Sequence, residues 1–293
     1  MEFMSRGGRA TGTRGPAVLC AVLVAAASVV FGTGTDAVTG AAPRTPVDGG
    51  GQPAPFVGAS NSTRGGRVNS TATSLDWAGY ASTGPTVTSV SGSWVQPSVT
   101  CPGTKVQQSA FWVGIDGFSS SDPTVQQIGT DADCTKKVKK VPGGPVHYAW
   151  FEMYPAGLVV LSPSNYPVNP GDTLTAGVTV TGASYALSLV DAGHWTFSTT
   201  QVAATPLPLN SSAEWIAEAP TACVGTTCKT VPLADFGSVA FSGATVNGLA
   251  VNGAGLTTHQ ITMTKTKKGT SAKATTSALD GTGHAFGVTW VTN

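Results

Sequence analysis

The sequence is poor in charged side chains, and the few that it has are unevenly placed. Charged residues make up 11% of the 293 residues, against about 25% in a typical soluble domain. Every arginine lies within the first 67 residues. The net charge is only +1, so the sequence does not indicate the strongly basic surface that binds nucleic acid. We therefore do not expect nucleic acid as a partner.

Glutamate is scarce as well. The chain has four, and only Glu152, Glu214 and Glu218 lie beyond the amino terminus. Protonation of ionised carboxylates that are paired in the native state is a main cause of acid unfolding. A chain with few of them is suited to acid, and a glutamate among apolar strand residues becomes a candidate for function.

Several motifs of other enzyme classes are missing. There is no Gly-x-Ser-x-Gly elbow and no glycine-rich loop between a strand and a helix, which argues against an α/β-hydrolase nucleophile and a nucleotide site. Spacing alone leaves a Ser/His/Asp triad open. The histidines, which lack the spacing of metal ligands, are His147, His194, His259 and His284. We therefore expect no metal and no cofactor.

The amino terminus is typical of an exported protein. Basic residues precede an apolar run at 16–31, which predicts a signal peptide within residues 1–42 and a secreted product. The run is too short to indicate a membrane span, so no membrane association is expected after cleavage. Residues 43–70 are rich in Gly, Pro, Ser and Asn and are predicted to be a linker or pro-segment. The folded domain is predicted at 71–293, as a monomer.

Four cysteines remain once Cys20 is removed with the signal peptide. They are Cys101, Cys134, Cys223 and Cys228. An even number in an exported protein indicates disulfides, and four cysteines allow three connectivities. We favour Cys101–Cys134 and Cys223–Cys228 over the alternatives. A zinc site is the competing interpretation, but the spacing lacks paired short knuckles.

Beyond residue 74, short β-like runs alternate with Gly, Pro, Asn and Ser turn signals, and no stretch has sustained helical periodicity. This pattern predicts an all-β fold of two packed antiparallel sheets. Alternate strand residues share a face, and in four runs the non-core face carries acids, amides and large aromatics, a composition that suits a binding cleft. These residues are Trp112, Asp116, Gln127, Asp131, Trp150, Glu152, Tyr154, Glu214 and Glu218. Taken singly, the aromatics could extend a core and the polar groups could lie at an ordinary surface.

The same runs resemble the glutamic peptidase, or eqolisin, family. Six segments occur in the family's order: Asp76–Gly79, Trp112–Gly117, Gln127–Asp131, Ala149–Pro155, Ala213–Glu218 and Pro232–Phe236. The resemblance implies a concanavalin-like β-sandwich of two curved antiparallel sheets with a substrate cleft on a concave face. It implies Glu218 as the catalytic carboxylate, Gln127 as the catalytic amide, and supporting roles for Trp112, Asp116, Asp131, Trp150 and Glu152.

Three residues depart from the family's pattern. Ile128 stands where Thr is often found, Met153 where an aromatic is common, and Tyr148 where some members have an acid. Ile128 and Met153 are predicted to face away from the site. Tyr148 shares the parity of Trp150 and Glu152, so it is predicted to alter how the supporting carboxylate is held.

The resulting hypothesis is a secreted, acid-acting, pepstatin-insensitive endopeptidase that hydrolyses unfolded or extended protein chains. Glu218 would activate water as general base, and Gln127 would donate to the oxyanion. Two alternatives stay open at this point. One is a secreted glycoside hydrolase that uses Glu152 and Glu218 as its carboxylate pair, and the other is a lectin-like carbohydrate-binding module.

Overall fold

Short strands and tight turns build the part of the chain that the structure describes. The structure is a computed structural model and describes residues 62–63, 69–203, 205–224, 227–266 and 271–293. The predicted signal peptide and most of the predicted pro-segment lie outside these ranges and stay predictions. Within the described ranges all regular structure is β, and no helix there is long and apolar enough to span a membrane.

The strands, in chain order, are β1 (Ser62–Thr63), β2 (Asn69–Ser74), β3 (Trp77–Thr83), β4 (Ser89–Val95), β5 (Ala110–Ile115), β6 (Val125–Cys134), β7 (Pro145–Tyr154), β8 (Val159–Val160), β9 (Thr173–Thr181), β10 (Ser184–Asp191), β11 (Trp195–Val202), β12 (Ser212–Glu218), β13 (Thr221–Val224), β14 (Thr227–Thr230), β15 (Ser238–Val246), β16 (Leu249–Ala250), β17 (Thr257–Thr264), β18 (Ala272–Thr276) and β19 (Phe286–Trp290).

Strand pairing divides most of these elements into two layers. The first sheet has the order β8-β7-β6-β5-β12-β3-β17-β2-β1. The second has the order β11-β10-β9-β4-β15-β19-β18. A pairing of β17 with β18 joins the layers at one corner, while β13 and β14 form a separate hairpin. Every pair is antiparallel except β2 with β17, which is parallel.

The main core lies between the two sheets. In β9 and β10 the alternation of buried and exposed residues puts Leu174, Val178 and Leu187 into it. The layers also meet through hydrogen bonds, since the Trp215 indole N–H donates to the Ser91 carbonyl at 2.7 Å. The predicted all-β sandwich is therefore confirmed, with one parallel strand pair in addition.

One predicted disulfide is present in the structure. Cys101 and Cys134 are bonded, with their Cα atoms 5.3 Å apart, and the bond ties the loop before β5 to the end of β6. Cys223 and Cys228 face each other in the register of β13 and β14. Their side chains lie outside the described ones, so the second disulfide stays a prediction.

Candidate active site

Four neighbouring strands of the first sheet, β7, β6, β5 and β12, carry the predicted site residues on one face. In β5, Phe111 and Val113 point into the core between the sheets, while Trp112 belongs to a second apolar cluster on the opposite face. Ile128 of β6 and Met153 of β7 also face the main core. The alternation predicted from the sequence therefore holds in the folded sheet, and the polar face is the one turned away from the second sheet.

The strand register arranges this face in three rows that cross the sheet. The first polar row is Glu214, Gly114, Gln127 and Glu152, the middle row is Ile216, Trp112, Gly129 and Trp150, and the second polar row is Glu218, Ala110, Asp131 and Tyr148. The middle row is apolar, and it separates two rows rich in polar side chains.

The indole of Trp112 connects the two polar rows. Its Nε1–H donates to Glu218 Oε2 at 2.8 Å. The other end of the ring lies over Gly114, because a Cβ atom there would be 2.9 Å from Trp112 Cζ3 and 3.1 Å from Gln127 Cβ. Gly114 thus leaves the space in which the ring lies beside Gln127. Trp77 packs edge-on against Trp112, with ring centroids 5.0 Å apart.

Gln127 is held by its neighbour in β7. Its Nε2 donates to Glu152 Oε2 at 2.8 Å, which uses one of the two N–H groups of the amide. Gln127 Oε1 and Glu152 Oε1 are buried and have no hydrogen-bond partner in the described part of the chain. Such atoms cost about 1–3 kcal/mol each, and in native proteins they call for an explanation such as a catalytic role. Glu152 therefore holds the Gln127 amide in place, and both side chains keep polar atoms that can still form hydrogen bonds.

Burial governs the charge of the carboxyl groups in the first polar row. It raises the pKa of Glu152 to about 8, against a smaller lowering effect of the hydrogen bond from Gln127. It also raises the pKa of Glu214 well above its ordinary value, and neither carboxyl oxygen of Glu214 has a partner among the described residues. In acid both side chains are neutral, so they place no negative charge beside Gln127.

Asp131 and Asp116 occupy different places. Asp131 lies in the second polar row, and its Oδ1 accepts from the Trp150 indole N–H at 2.6 Å. Asp116 follows β5 in a left-handed conformation, with φ of 74°. It accepts from the backbone N–H groups of Asn210 at 2.9 Å and Ser211 at 2.6 Å. It thereby anchors the segment that leads into β12, at the margin of the site. Tyr154 packs against the second apolar cluster.

Sequence reasoning left out some residues that the fold brings to this face. Asp133, two positions after Asp131 in β6, joins its network through Tyr148. Trp77, which packs on Trp112, lies in the first of the six family segments, so parity within β3 was the signal that could have found it. The contact of Asp133 with Tyr148 depends on the pairing of β6 with β7, so no local sequence pattern could predict it.

Only one group of acidic and imidazole side chains in the described ranges is close enough to share a cation. It consists of Asp172, Asp191 and His194 and belongs to the second sheet. There Asp191 Oδ2 and His194 Nδ1 are 2.9 Å apart across the turn between β10 and β11. The group therefore contributes nothing to the face that carries Gln127 and Glu218.

Comparison with known proteins agrees with this geometry. The model of the peptidase A4 family matches residues 75–285. The chain belongs to this family. Its members are glutamic peptidases, so the protein is a hydrolase that acts on peptide bonds, and the eqolisin resemblance is confirmed.

Two solved structures show the same fold. Scytalido-glutamic peptidase with a transition-state analogue inhibitor has 22% identity and a TM-score of 0.60, over 74% of this chain and 98% of that one. SCP-B, an eqolisin in complex with the tripeptide Ala-Ile-His, has 20% identity and a TM-score of 0.51, over the same shares. A search of curated protein sequences gave no match. The family supports the peptidase hypothesis over the glycoside hydrolase and the lectin-like module.

Proposed function

We propose that this member of the peptidase A4 family is a secreted endopeptidase that works in acid, with Glu218 as general base and Gln127 as oxyanion donor. The observation that carries the proposal is the fixed placement of both groups on one face. Glu218 is held by the indole N–H of Trp112 at 2.8 Å, and Gln127 is held by Glu152 at 2.8 Å.

The proposed reaction uses water as the nucleophile. Ionised Glu218 takes a proton from a bound water molecule, and the oxygen of that water attacks the scissile carbonyl carbon. The N–H of Gln127 that Glu152 does not use donates to the developing oxyanion. Glu218 then gives its proton to the leaving nitrogen, and the C–N bond breaks. No covalent acyl-enzyme forms, and a side-chain amide works at any pH because it does not titrate.

The environment of Gln127 is compatible with this chemistry in acid. A negative charge beside the oxyanion donor would oppose the charge that develops in the transition state. Because burial raises the pKa of Glu152 to about 8, this carboxyl is neutral in acid and still offers an oxygen to Gln127. The hydrogen bond from the Trp112 indole holds the Glu218 carboxyl in place, as the general-base role requires.

The substrate class follows from the peptidase family and the apolar middle row. Trp112, Trp150 and Ile216 lie in one row on three of four adjacent strands, with Gly129 between the two tryptophans. Their side chains are buried in this structure, and they would form the apolar floor beneath a bound peptide segment. We therefore assign unfolded or extended protein chains as substrates. Since the chemistry uses no aspartate pair, we expect resistance to pepstatin, an inhibitor of aspartic peptidases. Secretion is inferred from the amino-terminal segment.

The test is hydrolysis of a denatured protein from pH 2 to pH 8 in the presence of pepstatin. We expect acid cleavage by the wild type, loss of cleavage in Glu218→Gln, and a loss of about a hundred- to a thousandfold in Gln127→Ala. Gln201→Ala, in β11 of the second sheet, is the matched glutamine control. Wild-type activity in Glu218→Gln or Gln127→Ala, with folding verified by circular dichroism, would remove that residue from the mechanism.

A further inference from the structure

A buried pair of aspartates beside the site shares a single tyrosine hydroxyl. Tyr148 Oη lies 2.7 Å from Asp131 Oδ2 and 3.0 Å from Asp133 Oδ2. Both carboxyl groups are more than nine-tenths buried. In the part of the chain that the structure describes, neither forms a salt bridge with a basic side chain. The two carboxyls and the hydroxyl therefore form a compact group without a compensating cation.

Counting protons shows that this group cannot be fully ionised and fully hydrogen-bonded at once. A tyrosine hydroxyl donates one hydrogen, and an ionised carboxylate only accepts. Tyr148 can therefore donate to one aspartate only. The other contact is a hydrogen bond only if that aspartate carries a proton and donates it to the Tyr148 oxygen. The geometry thus assigns one shared proton to the pair.

N–H groups from neighbouring residues donate hydrogen bonds to both carboxyls of the pair. Asp131 accepts from the Trp150 indole at 2.6 Å, and Asp133 accepts from Gln108 Nε2 at 2.8 Å and from the Ser109 N–H at 3.3 Å. Burial raises the pKa of Asp133 to about 7. Burial and the charge of Asp133 raise that of Asp131. The proton belongs to the pair as a whole, as it does in any closely coupled pair of acids.

The pair is connected to the catalytic face on two sides. Asp131 lies in the row of Glu218, two strands away, with the small side chain of Ala110 between them. Asp131 also holds the Trp150 indole in the apolar middle row. The remaining acid that faces Asp131 is Glu152, which is neutral below about pH 8.

We propose that Tyr148 is a positioning residue that lets Asp131 and Asp133 share one proton, and that loss of this proton sets the upper pH limit of the peptidase. The inference rests on the proposed function. When the pair becomes doubly ionised, one of the two contacts to Tyr148 turns repulsive, and Asp131 is pushed from the position in which it accepts the Trp150 indole N–H. Tyr148 stands where some eqolisins have an acidic residue. In this chain both acids of the pair, Asp131 and Asp133, come from β6.

The decisive variant is Asp133→Asn, because the side-chain amide imitates the protonated acid. Its N–H donates to Tyr148 at every pH, and Gln108 can turn its amide to present an oxygen. We expect activity at pH 4 close to that of the wild type. The upper limb of the kcat/KM profile should move to a higher pH than in the wild type, because the amide has no proton to lose. An unmoved limb would overturn the proposal.

A second pair of variants separates positioning from general damage. Tyr148→Phe removes the hydroxyl, so we expect lower kcat in acid together with a displaced upper limb. The matched control is Tyr166→Phe, a tyrosine that packs against Trp195 and Phe197 of the second sheet, and it should leave the profile unchanged. A fall in activity with an unmoved profile in Tyr148→Phe would mean a merely structural role.

Stability measurements keep this proposal separate from the proposed function. In the wild type, the free energy of unfolding should fall between about pH 4 and pH 7, and Asp133→Asn should reduce this fall. This readout needs no catalysis. An inactive wild type whose stability behaves in this way would refute the proposed function and keep the shared proton. Equal pH dependence in both proteins would overturn the shared proton.

Discussion

The carboxyl group of Glu152 offers a sharp test of how the catalytic amide is held. Glu152 Oε2 accepts the Gln127 N–H at 2.8 Å, and burial keeps this carboxyl neutral below about pH 8. In Glu152→Gln the amide oxygen can accept the same hydrogen bond, because a neutral acid and an amide are nearly isosteric. We therefore expect kcat/KM at pH 4 to fall by no more than about threefold, which corresponds to about 0.6 kcal/mol.

Glu152→Ala should behave very differently, because it removes the acceptor. A buried N–H group without a partner costs about 1–3 kcal/mol, and the Gln127 amide is then free to turn away from the reacting carbonyl. The largest expected loss is that of a missing oxyanion donor, about a hundred- to a thousandfold in kcat. The fall should appear in kcat more than in KM, because the interaction is made in the transition state.

The assay is steady-state cleavage of a quenched peptide at pH 4, with thermal unfolding of each variant at the same pH. An inactive but folded Glu152→Gln would refute the reasoning, since it would show that an ionised carboxylate is needed at this position. Near-normal kcat in Glu152→Ala would refute it from the other side. It would mean that the hydrogen bond from Gln127 does not orient the amide for catalysis.

Two further predictions concern stability. Burial raises the pKa values of Asp116 and Asp133 to about 7, so the folded state holds more protons than the unfolded state between about pH 4 and pH 7. The free energy of unfolding should therefore fall as pH rises through this window, by at most about 1.4 kcal/mol per pH unit for each independent group. Urea unfolding at pH 4, 6 and 8 measures this free energy, and a rise with pH would contradict the raised pKa values. The Cys101–Cys134 disulfide joins residues that are 33 positions apart. By the chain-entropy relation, replacing both cysteines with serine should lower the free energy of unfolding by about 4 kcal/mol. An unchanged urea midpoint would count against this prediction.

Much of the site could be predicted from sequence because strand periodicity is a local property. Successive side chains alternate between faces whatever the strand pairs with, so Gln127 and Asp131 fall on one face of β6 and Ile128 on the other before any neighbour is known. The same reasoning placed Met153 of β7 in the core. The order of the six family segments then indicated which face carries the chemistry.

The tertiary structure alone decided which polar groups meet and in what charge state. The partnership of Gln127 with Glu152, and of Tyr148 with Asp131 and Asp133, follows from the register of β6 with β7, and register depends on contacts between distant segments. Burial is equally non-local, because the layers around a carboxyl group determine how much water reaches it. The sequence by itself therefore determined the faces, the fold class and the family, whereas the folded sheet determined the rows, the hydrogen bonds and the raised pKa values.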